Sequence, residues 1–146
     1  MDASQRRTFA LVNAVAAPWW LGMIVMPRSR LTAWLMERLP AALAALGVSY
    51  VALVARSLGG EPLDIADPDA LRRFLATPEG FLAGWTHYVV FDLFVGRWIW
   101  RTALDEGRHC RVALLLTFML GPAGLTLFAA QRRLRPAGGT VPHDSG

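Results

Sequence analysis

The chain contains no lysine, and all 15 of its basic residues are arginine. Every cation therefore carries a planar, multi-donor head rather than a compact ammonium. Cysteine is almost as scarce. With Cys110 alone, an intramolecular disulfide is excluded, as is any cysteine-built zinc or iron–sulfur site within one chain. Charge is sparse too: 18% of residues are charged against 54% hydrophobic, and mean hydropathy is +0.35. That balance is too apolar for a soluble domain of 146 residues and points to membrane spans. The net charge of +4 is read as a topology signal and an affinity for anionic headgroups, with no nucleic-acid partner.

What is present is a series of apolar segments, bounded by charge. They run over about 8–26, 39–57, 78–101 and 111–131 and form a single domain over 1–135, followed by a polar tail at 136–146 expected to be disordered. Each approaches the ~20 residues that a helix needs to cross a hydrocarbon core. The first follows two arginines, as a signal peptide would, but its length and its terminal Trp19 and Trp20 mark it as a retained helix. It also holds Asn13 and Pro18, and the proline frees a carbonyl that something nearby must satisfy. The third opens on Thr77-Pro78-Glu79, a cap, a first-position proline and an acid at the positive end of the helix dipole. The fourth is interrupted by Gly121 and Pro122.

Between the second and third segments, Asp67-Pro68 signals a helix start, and Leu71, Phe74 and Leu75 share one face. A short amphipathic helix on the membrane surface is predicted there, with a solvated loop as the alternative. The fold class expected is all-α: an integral membrane four-helix bundle with a short amphipathic interfacial helix between the second and third spans. Four crossings place both termini on one side. Arginines flank both sides, so orientation stays open. The composition looks bacterial, and the expected location is the inner (cytoplasmic) membrane.

The third segment carries the chemistry. His87, Asp92 and Arg97 lie inside "HYVVFDLFVGRW", where a charge costs about 2.5–3.5 kcal/mol on insertion scales and by default marks an interior site. At about 100° per residue, Asp92 lies about 140° from His87, and Arg97 about 140° further on, so one helix face cannot hold all three. The two-ligand spacing of a helical metal motif is missing as well, and no metal or cofactor is expected. Gly80, Gly84, Tyr88, Asp92 and Gly96 recur every fourth residue as a ridge of mostly small side chains that should meet another helix backbone. Asp92 is thus the leading candidate for a buried carboxylate, with Tyr88 one turn away. Arg97 could instead snorkel to the interface, and all three polar groups could simply pin helices together. Trp98, Trp100, Trp19 and Trp20 suit either an interfacial belt or the walls of a site for a flat or elongated apolar ligand.

"HYVVFDLFVGRWIW" at 87–100, "LTFMLGPAGL" at 116–125 and "APWWLGMIVMP" at 17–27 together resemble the small membrane proteins named for the abscisic-acid-deficient-four protein of plants. The resemblance covers nearly the whole chain from the first span to the fourth. It implies a carotenoid or other long isoprenoid ligand and cofactor-independent isomerisation, in which an epoxide opens to an alcohol while a vinylic proton leaves to give an allene. Such a reaction needs an acid and a base and no redox partner. By this resemblance Asp92 is the base, His87 or Arg97 polarises the epoxide oxygen, and Tyr88, Trp98, Trp19, Trp20 and Asn13 line the substrate site; Asp105 receives no role. The bilayer, a second copy of the chain and carotenoid-pathway enzymes are the expected partners. Two other readings compete. One is a non-enzymatic membrane scaffold whose acidic loop recruits a partner; the other is a small proton or ion conductor.

Overall fold

The computed structural model describes residues 1–58 and 64–134; the expected disordered tail lies outside them. Among the described residues the protein is all-α. Its helices are α1 (Ala3–Val25), α2 (Arg30–Leu58), α3 (Pro68–Ala76), α4 (Pro78–Asp105), α5 (Arg111–Leu120) and α6 (Pro122–Leu134). Of these, α1 and α2 are long and apolar enough to cross a membrane.

Local chemistry sets most of the boundaries. Asp2 and Gln5 form a reciprocal capping box at the start of α1. Asp67 caps α3 and Thr77 caps α4, each ahead of a proline whose missing N–H costs nothing at a helix start. α2 begins at Arg30 rather than near 39. Ser29 Oγ accepts the Thr32 N–H at 3.0 Å, and the buried Thr32 hydroxyl lies within hydrogen-bond distance of the Met26 and Gly22 carbonyls, so one turn closes α1 and opens α2. The charges that seemed to bar a helix there sit on an exposed flank, where Arg38 folds back over the Trp34 ring.

α4 is the central helix and packs against all five others. It runs parallel to α1: Gln5 Nε2 donates to Glu79 Oε1 at the start, and Trp100 Nε1 donates to the Pro27 carbonyl at the end. α2 runs antiparallel between them, fixed by Trp19 Nε1 donating to the Leu35 carbonyl and by the Ser57 and Thr77 hydroxyls at 3.1 Å. The small-residue ridge of α4 is used by two partners. Gly80 and Gly84 admit the Phe74 carbonyl and the Leu75 side chain of α3, and Gly96 admits Trp20 of α1. Through Phe74, α3 also joins the small core of Leu53, Leu82 and Ala83.

The stretch over 111–131, expected as one crossing interrupted at Gly121 and Pro122, turns back at that interruption instead: α5 and α6 form a hairpin, with its turn at Gly121-Pro122. Arg132 Nε donates to Glu106 Oε1 at 2.7 Å and Arg108 donates to the Gln131 carbonyl, so the end of α6 returns to the end of α4, where α5 began. At about 1.5 Å per residue, α5 with its 10 residues reaches only about 15 Å before turning back. Residue 134 therefore lies at the opposite end of the molecule from residue 2, where four crossings would have brought the two together.

Two features make the reversal. Gly121 adopts φ +51°, open at low cost to a residue without Cβ. Gly124 lies directly on α5, where a Cβ would collide with Thr117 Oγ1 and the Ala113 carbonyl oxygen. At the open end, the Arg132 and Arg108 guanidiniums hold the Glu106 carboxyl below the usual carboxylate range.

Gly124→Ala forces the hairpin apart, and we expect a loss of about 1–3 kcal/mol in detergent, read as a lower thermal midpoint. A lowered native pKa at Glu106 means that its contribution is complete above the ordinary carboxylate range and is lost as pH falls through the depressed native value. Thermal midpoints should accordingly drop on the acid side in the wild type, and less so in Glu106→Gln.

Candidate functional site

Asp92 sits near the middle of α4, level with the hairpin tip. A Cβ at Gly121 would lie 3.3 Å from Asp92 Oδ1, so the missing side chain is what lets the turn rest beside the carboxylate. The half-buried Asp92 has neither a hydrogen bond nor an ion pair to any described residue, which is rare for a carboxylate away from water.

Two hollows meet at it. The larger is a cleft of about 960 Å³ between α1, α4 and α5. Its walls are apolar: Ala16, Trp20 and Ile24 from α1, Val89 from α4, and Leu115 and Phe118 from α5. Its polar groups are few, namely Asn13, Trp85, Tyr88 and Asp92. The Asn13 amide donates to the Phe9 carbonyl at 2.7 Å, and Trp20 packs on Phe118 with ring centroids 5.4 Å apart. The smaller groove, about 260 Å³, opens on the α6 side and is lined by His87, Phe91 and Leu125. Tyr88, Asp92, Gly121 and Pro122 line both. The hairpin tip thus divides two apolar hollows that share one carboxylate.

The other residues expected at the site scatter. His87 is exposed and stacks on Phe91 at 4.5 Å, and it reaches the smaller groove only. Tyr88 is 63% exposed along the cleft rim. Arg97 lines neither hollow, and its Nε is buried with no hydrogen-bond partner among the described residues. Trp98 stands edge-on to Phe128 at 5.5 Å with Arg132 over its ring, packed at the base of the hairpin instead of in the cleft. Trp19 faces α2 through its bond to Leu35; of the tryptophan pair only Trp20 reaches the cleft. The hollows bring together Asp92, Tyr88, Asn13, Trp20 and His87, and leave out Arg97, Trp98 and Trp19. Among the described residues no three His, Cys, Asp or Glu side chains converge.

Trp85 and the α5 wall were missed. Trp85, Tyr88, Val89 and Asp92 share one face by i, i+3, i+4, i+7 spacing, a signal that was legible but outweighed by the glycine ridge. The α5 residues enter only because the hairpin carries them to Asp92.

Such a site defines an all-α protein with an apolar cleft and one unpaired carboxylate at a helical-hairpin tip. The ABA4-like family model, described as ABA DEFICIENT 4-like, matches residues 7–128, and the chain belongs to that family. Comparison with curated proteins and with solved structures gives no significant match.

Because Asp92 bonds to no described side chain, Asp92→Asn should shift stability by no more than about 0.5 kcal/mol. A large drop in thermal midpoint would assign Asp92 to holding the helices together.

Proposed function

We propose that the protein is a membrane-embedded binder, and by its family an isomerase, of a carotenoid or other long isoprenoid. The observation that carries this reading is the cleft of about 960 Å³, walled by aliphatic and aromatic side chains and holding one unpaired carboxylate. A long hydrocarbon fills such a volume through apolar burial, worth about 25 cal/mol per Å², and its polar end finds an acceptor at Asp92. Membership of the ABA4-like family points in the same carotenoid-related direction.

In this reading the bundle lies in the inner (cytoplasmic) membrane of a bacterium. α1, α2 and α4 cross, α3 rests on the surface, and the α5–α6 hairpin enters from one side and stops near the middle. The turn keeps its backbone donors occupied, the Gly121 N–H bonding to the Thr117 carbonyl and the Gly124 N–H to the Gly121 carbonyl, while Pro122 has no N–H to satisfy.

Epoxide isomerisation conserves every atom. One epoxide C–O bond breaks and the oxygen gains a proton; a neighbouring vinylic C–H gives its proton to a base, and its electron pair completes the allene. Asp92, open to both hollows, serves as the base. His87, which lines the smaller groove with Asp92, serves as the acid, and Tyr88 orients the oxygen. Arg97 plays no part in this arrangement.

The test is the ligand that copurifies in mild detergent. The wild type should carry a polyene absorbance that Asp92→Asn and Ala17→Trp, which fills the cleft, both abolish. Cells given an epoxy-carotenoid should form an allenic product with the wild type and not with Asp92→Asn. Protein free of isoprenoid, with no allenic product, contradicts the reading.

A further inference from the structure

The hairpin gathers charge at one end of the molecule. Because α6 returns, five helix ends meet there: the ends of α1, α4 and α6 and the starts of α2 and α5. They bring Arg28, Arg30, Arg101, Arg111, Arg132 and Arg133, all exposed, to one rim. Opposing charge is scarce on it: among the described residues Asp105 and, beside Arg38 on α2, Glu37 are the exposed acids, and Glu106 is already held by Arg108 and Arg132. Just inside the rim stand the exposed Trp34 under Arg38 and Trp98 under Arg132. Rings with an apolar body and a polar edge settle at the headgroup level.

The other end is different in kind. Arg72 and Arg73 of α3 pair with Asp69 and Asp67 at 3.7 and 3.6 Å, and Asp2, Asp64 and Glu79 accompany Arg6, Arg7 and Arg56. That end is close to neutral. Read as four crossings, the sequence divided its arginines between both sides; read with the hairpin, Arg132 and Arg133 move to the already basic one.

We propose that this arginine rim is a docking surface for anionic phospholipid headgroups, that it faces the cytoplasmic leaflet, and that residues 2 and 134 lie on opposite sides of the membrane. Guanidiniums bind phosphate through paired N–H donors, and short basic loops beside spans stay on the cytoplasmic side. The proposal rests on the membrane-embedded reading and needs nothing of the cleft ligand.

The test uses the full chain in bacterial membranes, with single cysteines placed in a Cys110→Ala background. In spheroplasts, a membrane-impermeant maleimide should label Ser4→Cys and Asp69→Cys directly, and Leu134→Cys only after permeabilisation. Epitopes fused at either end, probed by protease protection, give the same readout without replacing Cys110. Labelling of Ser4→Cys and Leu134→Cys from one side, or the reverse pattern, overturns the proposal. Recovery in the soluble fraction overturns it together with the membrane reading. An empty cleft with the expected labelling overturns the ligand reading alone. Purified protein should also show a higher thermal midpoint in phosphatidylglycerol vesicles than in phosphatidylcholine vesicles, a gain reduced in Arg28→Gln/Arg30→Gln/Arg133→Gln. Equal midpoints in the two lipids, or the same gain from inorganic phosphate in detergent, would contradict a headgroup site.

Discussion

α6 can lie against α5 only because residue 124 has no side chain. Gly124 sits over Thr117 and Ala113 where any Cβ would collide, and the Thr117 hydroxyl donates to the Ala113 carbonyl at 2.9 Å, so the surface it rests on is already satisfied. That contact folds the last part of the chain back on itself. The rest follows from it: the turn reaches Asp92, the α5 side chains close the cleft, and the end of α6 returns to Glu106.

The polar groups in this apolar chain divide by what they do. Thr32 and Trp100 give hydrogens to carbonyls where α1 ends and Trp19 to the Leu35 carbonyl within α2, and together they hold the three long helices in register. Glu106 with Arg108 and Arg132 closes the hairpin base. Asp92 does neither. It stands half-buried where the two hollows meet, with no hydrogen bond or ion pair to any described residue.

Much of the framework was legible in the sequence. Asp67-Pro68 and Thr77-Pro78-Glu79 start α3 and α4 where their capping chemistry says they should; the spacing on α4 puts His87, Asp92 and Arg97 on different faces, yet His87 and Asp92 line one groove and Arg97 lines neither hollow. The hairpin was not legible as a reversal. A Gly-Pro pair announces a break in a helix but not the direction the chain takes after it, and that direction is set by contacts far along the chain, Gly124 on Ala113 and Arg132 on Glu106. The same limit explains the tryptophans: periodicity puts Trp19 and Trp98 on a face, but only the neighbouring helices decide that these faces meet Leu35 and Phe128 instead of the cleft.

The account stands on the reversal at Gly121, and the distance between spin labels on the exposed Asp105 and Leu134 tests it directly. The hairpin predicts that the two labels lie close together, as the Glu106–Arg132 contact requires. A continuous helix from 111 to 134 would separate them by roughly 35 Å and would remove both the hairpin and the site it forms around Asp92.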